Sequence, residues 1–594
     1  MRTTADIAAQ QDESRSKAGP PSLPALTLPE RRPAEWGIAI ALFVLATAYS
    51  LLFRRYGLVA NEGTILQGAQ RILDGQVPYR DFFTLFTPGS YYFHALLFRT
   101  FGDSIIVART AEAVNGGLFA ALTYLLARRV CARWSALLTA YIVVVTVLSY
   151  GLFAVHNWDS TVWAYLALYC AIWVLQQPHW GWALGMGTCC SLTALFEQSK
   201  GAGLLLGLAL GFAVLAVSGQ VHLKRSWFFA VVTGLAWPVA ITTSYFGAQH
   251  ALPQMMKDLI HPLQHYAAVN EVPYGYMNWG DNVRSAILDG SLPHTAFMLY
   301  VTSPPFLVSA LPIIGAGVLV YSTIQTWKMR PAWAERWSYY VLVSACTSGL
   351  LLCVLGTRKD WSHLIFIAPI VSLILSWLLD GSDIRLKLVD PAKPVLVFVV
   401  VVAFFFLGFA QLLKARGSVP RATRRGVLRV RPPENALGYL QAHLKPGEEI
   451  FVYPYFPPYY YLTATSNPTP YDFLQPGYNT PEEFQQVLHV IAVHRPRVVL
   501  FQPRFYEDVV LTAPSMPLEV LGARDPVTEY ILREYRSCAV LNPVNFGGLA
   551  FMVRKDLPCP QAPEGGAEPK NGDPKVKAPP LNSVEPGEPS QDAR

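Results

Sequence analysis

The sequence predicts a polytopic α-helical membrane protein that ends in a small α/β domain, and three observations carry that expectation. Of its 594 residues 52% are hydrophobic and only 15% are charged, with a mean hydropathy of +0.29, too apolar and too long for one soluble domain. Apolar runs of about 20 residues, the length a helix needs to cross a bilayer, recur from Trp36 to about residue 412. Beyond about residue 432 the pattern breaks into the short strand-like and helix-like stretches of a soluble α/β fold.

Taken in order, residues 1–33 are Ser, Pro, Ala and charge without apolar periodicity, and read as a disordered cytoplasmic tail. The run from Trp36 to Phe53 lies far from the N-terminus and lacks a small-residue cleavage site, so it reads as an uncleaved anchor with Arg31 and Arg32 holding its start inside. Asn61–Pro88 is polar and aromatic. Asn61 is placed to cap a helix from Glu62 to Asp74, closed by Gly75, with Ile65, Ala69, Ile72 and Leu73 on one face, as in a helix lying along a bilayer surface. Ser90–Phe101 is too short to span, and reads as a second interfacial or re-entrant segment.

Further spans are expected at 104–127, 134–153, 160–176, 180–197, 201–218, 227–247, 297–323, 337–355, 363–379 and 395–412. With the first, the 34–413 transmembrane region then has about eleven spans, interfacial helices in its first outer loop, and most basic loops inside. Two clusters run against the positive-inside rule: Arg54-Arg55, and the basic linker 414–431 with Arg416, Arg421, Arg424, Arg425, Arg429 and Arg431. The linker is expected to bind anionic headgroups or an anionic acceptor. Residues 432–558 follow as the extracytoplasmic α/β domain, in which YPYFPPYYYLTATSNPTPYDF reads as a long irregular loop, and 559–594 as a disordered tail. The expected location is therefore a bacterial cytoplasmic membrane, crossed many times, with the N-terminus inside and the C-terminal domain outside.

The formal charge of +7 belongs to loops and headgroups, so no nucleic-acid partner is expected. Membrane lipids are. Six of the eight cysteines lie in or beside apolar segments as packing residues, no zinc-ligand spacing occurs, and Cys538 and Cys559 can pair if their region is outside the cytoplasm.

The expected topology collects Glu62, Asp81, Asp159, Lys200, Arg358, Asp360 and His363 on the outer face. Charges beside spans are costly unless they serve a site or a partner. Glu62, Asp81 and Asp159 are the candidate catalytic carboxylates, because a carboxylate in reach of an acceptor hydroxyl can take its proton. Each has a structural alternative: Glu62 as a first-turn carboxylate, Asp81 as an ion-pair partner or metal ligand, Asp159 as a helix cap or cation ligand. Arg71, Arg80, Lys200, Arg358 and His363 are the candidate phosphate-binding groups, with a Glu197–Lys200 helical pair or a snorkelling lysine as the alternatives for Lys200. His261 and His265 share a helical face, a weak signal for metal. No metal-ligand set is assigned and no cofactor is certain, although a divalent metal is compatible with these carboxylates.

The stretches NEGTILQGAQRILDGQVPYRDFF and TPGSYYFHALLFRTFGDSIIVAR, with HNWDS and TRKDWSHL more weakly, resemble the membrane-embedded glycosyltransferases of the GT-C class, particularly the protein O-mannosyltransferase and lipid A aminoarabinose transferase group. The resemblance covers about the first 200 residues, and implies a polyprenyl-phosphate-linked sugar as donor and a glycan, lipid or protein acceptor at the outer face. It also implies inversion at the anomeric carbon, a carboxylate of the first outer loop as base, and cations stabilising the departing lipid phosphate. The family's usual acidic pair is replaced here by Asn61-Glu62, and an amide cannot be the base. That departure motivates a second reading, a non-catalytic binding or transport protein for lipid-linked sugars in envelope polysaccharide assembly.

Overall fold

A computed structural model describes residues 33–177, 179–222, 224–265, 288, 290, 292–326, 334–380, 393–432, 434–475, 478–502, 525–542 and 548–560. The expected tails 1–33 and 559–594 fall outside those residues except at 33, 559 and 560, and so do residues 266–287 of the expected outer loop. The helices before the first strand are α1 (Pro33–Leu51), α2 (Ala60–Leu73), α3 (Gly89–Phe101), α4 (Ile105–Ala127), α5 (Arg133–Tyr150), α6 (His156–Gln176), α7 (Trp180–Phe196) and α8 (Gln198–Val217). They continue as α9 (Arg225–Ala248), α10 (Leu252–His265), α11 (Leu292–Thr326), α12 (Ala334–Thr357), α13 (Trp361–Ile365), α14 (Ala368–Asp380) and α15 (Lys393–Arg416).

Among the described residues six helices are long and apolar enough to cross a membrane: α1, α4, α6, α8, α9 and the Arg336–Thr357 part of α12. Every other expected span also falls on helix, but α5, α11 and α14 carry shorter apolar stretches, and the expected span 363–379 is broken at residues 366–367 between α13 and α14. Asp360 caps α13, its Oδ1 accepting from the His363 amide at 3.0 Å. Small residues allow close helix contacts: a side chain at Gly203 of α8 would meet the Gly349 carbonyl of α12 at 2.6 Å, so glycine there lets two backbones touch.

After α15 come β1 (Val419–Thr423), β2 (Gly426–Val430), α16 (Ala436–His443), β3 (Ile450–Tyr453), α17 (Pro458–Thr463), α18 (Pro481–His494), β4 (Val498–Phe501), α19 (Pro526–Glu534), β5 (Tyr535–Leu541) and β6 (Leu549–Arg554). The sheet order is β3-β4-β6-β5, with β3 parallel to β4 and the other two pairings antiparallel. All four residues of β3 and of β4 are buried, as strands covered on both faces require. Thr480 and Glu483 close a capping box on α18. Cys538 and Cys559 form a disulfide with Cα atoms 5.6 Å apart, which fastens Cys559 to β5 although the sequence pattern assigns it to the tail.

Four local expectations are corrected. Residues 414–431 are not an irregular linker but the end of α15 and an antiparallel hairpin, β1–β2. The Pro- and Tyr-rich loop contains α17, whose six residues are all buried. Helix α2 starts two residues early, at Ala60, with Val59 at its cap and no side-chain capping bond, so Asn61 sits in the first turn and accepts instead from the Tyr455 hydroxyl at 2.9 Å. Nor does α2 lie with an open face: Glu62, Gly63, Ile65, Leu66, Gln67, Gly68, Ala69 and Arg71 are all buried, because α3 and α17 cover it.

A large apolar core joins α4, α6, α12 and α14. A second runs from Leu66, Ala69, Phe98 and Ile105 into Leu428, Tyr459, Tyr461, Val498 and Phe551, so α2–α4 and the C-terminal sheet share one interior.

Candidate active site

Glu62 sits in the first turn of α2 and Arg109 in the first turn of α4, and both are buried. Arg109 Nε donates to Glu62 Oε1 at 2.8 Å and Nη2 donates to Oε2, while the Ala154 amide adds a third bond to Oε1 at 3.1 Å. The remaining Arg109 donors reach the carbonyls of Tyr56 and Gly57 at 3.1 and 3.0 Å. An open base at Glu62 is thus replaced by a closed ion pair, since both carboxylate oxygens are engaged away from solvent.

Arg71 and Arg80 also differ from the expected phosphate ligands. Arg71 is buried, pairs with Asp472 at 3.1 Å, bonds Gln76 at 2.7 Å and the Thr469 carbonyl at 3.2 Å, and stacks 4.8 Å over Phe82. It ties α2 to the loop after α17. Arg80 and Asp81 form an ion pair at 2.8 Å in which Asp81 also accepts from the Val77 amide at 2.6 Å. The bond from Arg80 outweighs desolvation and holds the Asp81 carboxyl below its ordinary range. Arg80 reaches on to Gln249 at 3.2 Å, and the contacts of this pair run to that corner rather than to Asp159.

The residues brought together are Asp159, Lys200, Arg358 and His363. Asp159 is in the first turn of α6, not at its cap, which is Val155. Its Oδ2 accepts from the Ser90 hydroxyl at 2.6 Å and its Oδ1 faces the Asn115 amide at 3.4 Å. Lys200, one turn into α8, is buried and pairs with Glu197 at 2.9 Å. Its ammonium also donates to the Asn157 carbonyl at 2.6 Å and to the Ser160 and Thr161 hydroxyls, both at 2.9 Å. Lys200 therefore locks α8 onto the start of α6, which excludes the snorkelling geometry and leaves it no spare donor.

On the same side Arg358 pairs with Asp360 at 2.7 Å and reaches the Tyr478 hydroxyl at 3.5 Å. His363 Nδ1 lies 2.7 Å from the other Asp360 oxygen, with about a third of its side chain exposed. Burial opposes ionisation of Asp360, but His363 and Arg358 win, and the carboxyl is held well below its usual range. Phe366, just after α13, lies 6.0 Å from the Lys200 ammonium and its carbonyl accepts from Thr161 at 3.0 Å, so the two groups share one wall. His156 is within electrostatic reach of Lys200, His363 and Asp159.

Beside Asp159 lies a group that sequence spacing does not reveal. His94 of α3, Glu112 of α4 and Asp159 are all buried, and their ligand atoms lie within 4.8 Å of one another. His94 Nε2 is 3.7 Å from Glu112 and 3.5 Å from Asp159, and neither ring nitrogen has a hydrogen-bond partner among the described residues. One imidazole and two carboxylates form a donor set that suits a divalent transition metal. The signal available in the sequence is Arg109 and Glu112 themselves, ionisable residues inside an otherwise apolar span. His261, by contrast, bonds the Tyr478 carbonyl at 2.8 Å and packs on His265 with ring centroids 4.4 Å apart.

Residues 86–246, which hold Asp159 and Lys200, match the family model of dolichyl-phosphate-mannose-protein mannosyltransferase. The sequence resemblance to membrane glycosyltransferases of the GT-C class is borne out there. Among solved structures, ArnT from Cupriavidus metallidurans bound to undecaprenyl phosphate overlays 89% of this chain and 100% of its own at 11% identity and a TM-score of 0.48. Its apo form covers the same shares at 12% identity and 0.43. The arabinosyltransferase EmbB from Mycobacterium smegmatis covers 70% of this chain and 44% of its own at 12% identity and 0.31. At those scores the overlays add nothing to the reading of the site. No curated protein matches the sequence significantly.

Proposed function

We propose that the protein transfers a sugar from a polyprenyl-phosphate carrier to a glycan, lipid or protein acceptor at the outer face of a bacterial cytoplasmic membrane, with inversion at the anomeric carbon. The observation that carries this is the convergence of Asp159 with the Arg358–Asp360–His363 group across α6, α8 and α13, in a chain whose residues 86–246 match a family that uses a lipid-linked sugar. As the sugar leaves, charge develops on the carrier phosphate, and Arg358 with the partly exposed His363 supplies donors for it. Asp159 takes the acceptor proton. Among the described residues it is the candidate carboxylate with no guanidinium bonded to it, whereas Glu62 and Asp81 each have one. Lys200 and Glu62 act as positioning residues, the first fixing the start of α6 and the second holding α2 to α4. The positive-inside pattern supports a cytoplasmic N-terminus and an outer C-terminal region.

The test is release of polyprenyl phosphate by the purified protein in nanodiscs, given a panel of polyprenyl-phosphate sugars. Asp159→Asn is expected to lower turnover by roughly 10²–10⁴-fold, the usual contribution of a general base, while donor binding persists. Arg358→Gln is expected to weaken donor binding. Full turnover in Asp159→Asn removes Asp159 as base, and donor binding without turnover for every sugar and acceptor returns the protein to the binding or transport reading.

A further inference from the structure

A cavity of about 450 Å³ lies where the end of α1, the end of α15 and strand β2 meet the C-terminal sheet. Arg54, Arg109, Arg429 and Arg431 line it, with Tyr56 and Gln502. These arginines unite the two clusters that break the positive-inside rule, one just after the first span and the other in the β1–β2 hairpin region, more than 370 residues later. The backbone brings them together: Gly57 donates to the Arg429 carbonyl at 2.9 Å and Arg429 donates to the Arg55 carbonyl at 2.6 Å, so residues 55–57 run beside β2.

Charge in the cavity is unbalanced. Arg109 is neutralised by Glu62, and the one lining carboxylate, Glu434, lies 3.6 Å from Arg421. Arg54, Arg429 and Arg431 have no carboxylate partner among the described residues: Arg54 donates to the Thr110 hydroxyl at 3.3 Å, Arg429 to Ser418, and Arg431 is exposed. By contrast the other hairpin arginines are spent on the fold. Arg424 binds the carbonyls of Thr463, Gln441 and Leu444, and Arg425 pairs with Asp103. Gln502, buried in the wall, keeps a side-chain oxygen with no hydrogen-bond donor among the described residues.

We infer that this cavity is a binding site for an oxyanion, a phosphate or carboxylate borne on a hydroxylated headgroup, separate from the Asp159 site and independent of the transfer reading. Three guanidiniums without counter-ions supply charge-assisted donors to the anion, and the Gln502 oxygen is placed to accept from a hydroxyl. The ends of two apolar helices form the rim, which suits a headgroup whose tails stay in lipid; a soluble sugar phosphate offers the same chemistry.

The experiment uses the full chain in phosphatidylcholine nanodiscs with and without one quarter phosphatidylglycerol, reading retained lipid by native mass spectrometry and thermal unfolding alongside. A second arm adds glucose 1-phosphate to phosphatidylcholine discs. Preferential retention of phosphatidylglycerol, lost by roughly ten-fold or more in Arg54→Gln/Arg431→Gln and kept in Arg416→Gln, supports a lipid headgroup at this cavity, at about 1 kcal/mol per arginine. Arg416 is the control because it is an exposed arginine of the same segment that does not line the cavity. Stabilisation by glucose 1-phosphate, lost in the same double variant, supports the site with a soluble ligand. Equal loss in Arg416→Gln, or no preference for either anion in a wild-type protein that unfolds cooperatively, overturns it. Arg54→Lys/Arg431→Lys, which keeps the charge, separates loss of the anion from loss of fold: it is expected to retain most of the binding.

Discussion

An ion pair closed by Glu62 and Arg109 is held by more than its own two charges, because the Ala154 amide and the carbonyls of Tyr56 and Gly57 complete the shell. Removing one partner leaves the other buried and unpaired, which costs about 3–5 kcal/mol. Glu62→Gln and Arg109→Gln are each expected to lower the unfolding temperature sharply, and the double change Glu62→Met/Arg109→Met to recover much of the loss. An unchanged melting curve in Glu62→Gln would refute the structural role. Sequence reading finds Glu62 and Arg71 as unusual residues but not what they do. Their partners lie 47 and 401 positions away, at Arg109 and Asp472, and spacing along the chain carries no information about contacts that tertiary packing makes.

Helix α10 illustrates how an element's docking can be set by one proton. Met255 and Ala251 pack with Val77, Tyr79 and Phe246, and this burial pushes the Asp258 carboxyl from 3.8 up to about 7, against the bond it accepts from Gln254 at 2.6 Å. A carboxyl raised in the folded state favours folding while it is protonated. Its contribution is complete below about pH 4 and is lost as pH rises through about 7. The unfolding temperature is expected to fall between pH 5 and 8, and to fall less in Asp258→Asn; identical slopes would show that Asp258 is not the group responsible. At this scale the sequence is most legible. Apolar runs locate the helices because burial in lipid or core imposes one pattern over many residues. The β1–β2 hairpin and α17 were hidden, the first by its charge and the second by its prolines and tyrosines, since both are stabilised by partners elsewhere rather than by local periodicity.

On the scale of the whole molecule, the sequence suggests a membrane part and an appended α/β domain, a division that composition supports and packing blurs. Phe98 of α3 stacks on Tyr461 of α17 with ring centroids 5.7 Å apart, and Gly63 of α2 approaches Pro458 so closely that a side-chain carbon there would lie 2.3 Å from it. The interior beneath the sheet is finished by α2–α4. A fragment of residues 432–560 alone is therefore expected to expose that face, bind a hydrophobic dye and melt without a sharp transition. A cooperative transition and no dye binding would show that the α/β part is self-sufficient.

That shared interior also sets an order of assembly. The Tyr461 hydroxyl donates to the Asp103 carbonyl at 2.9 Å across 358 residues of chain. Helices α2 and α3 thus leave the ribosome with one face uncovered, and it stays so while the later helices are translated and inserted. Contacts of such separation are slow to form because the loop between them must close first. A premature stop anywhere before α17 leaves α2 and α3 permanently without their cover, so a nascent chain of this protein is committed to its final arrangement only when its last quarter has been made.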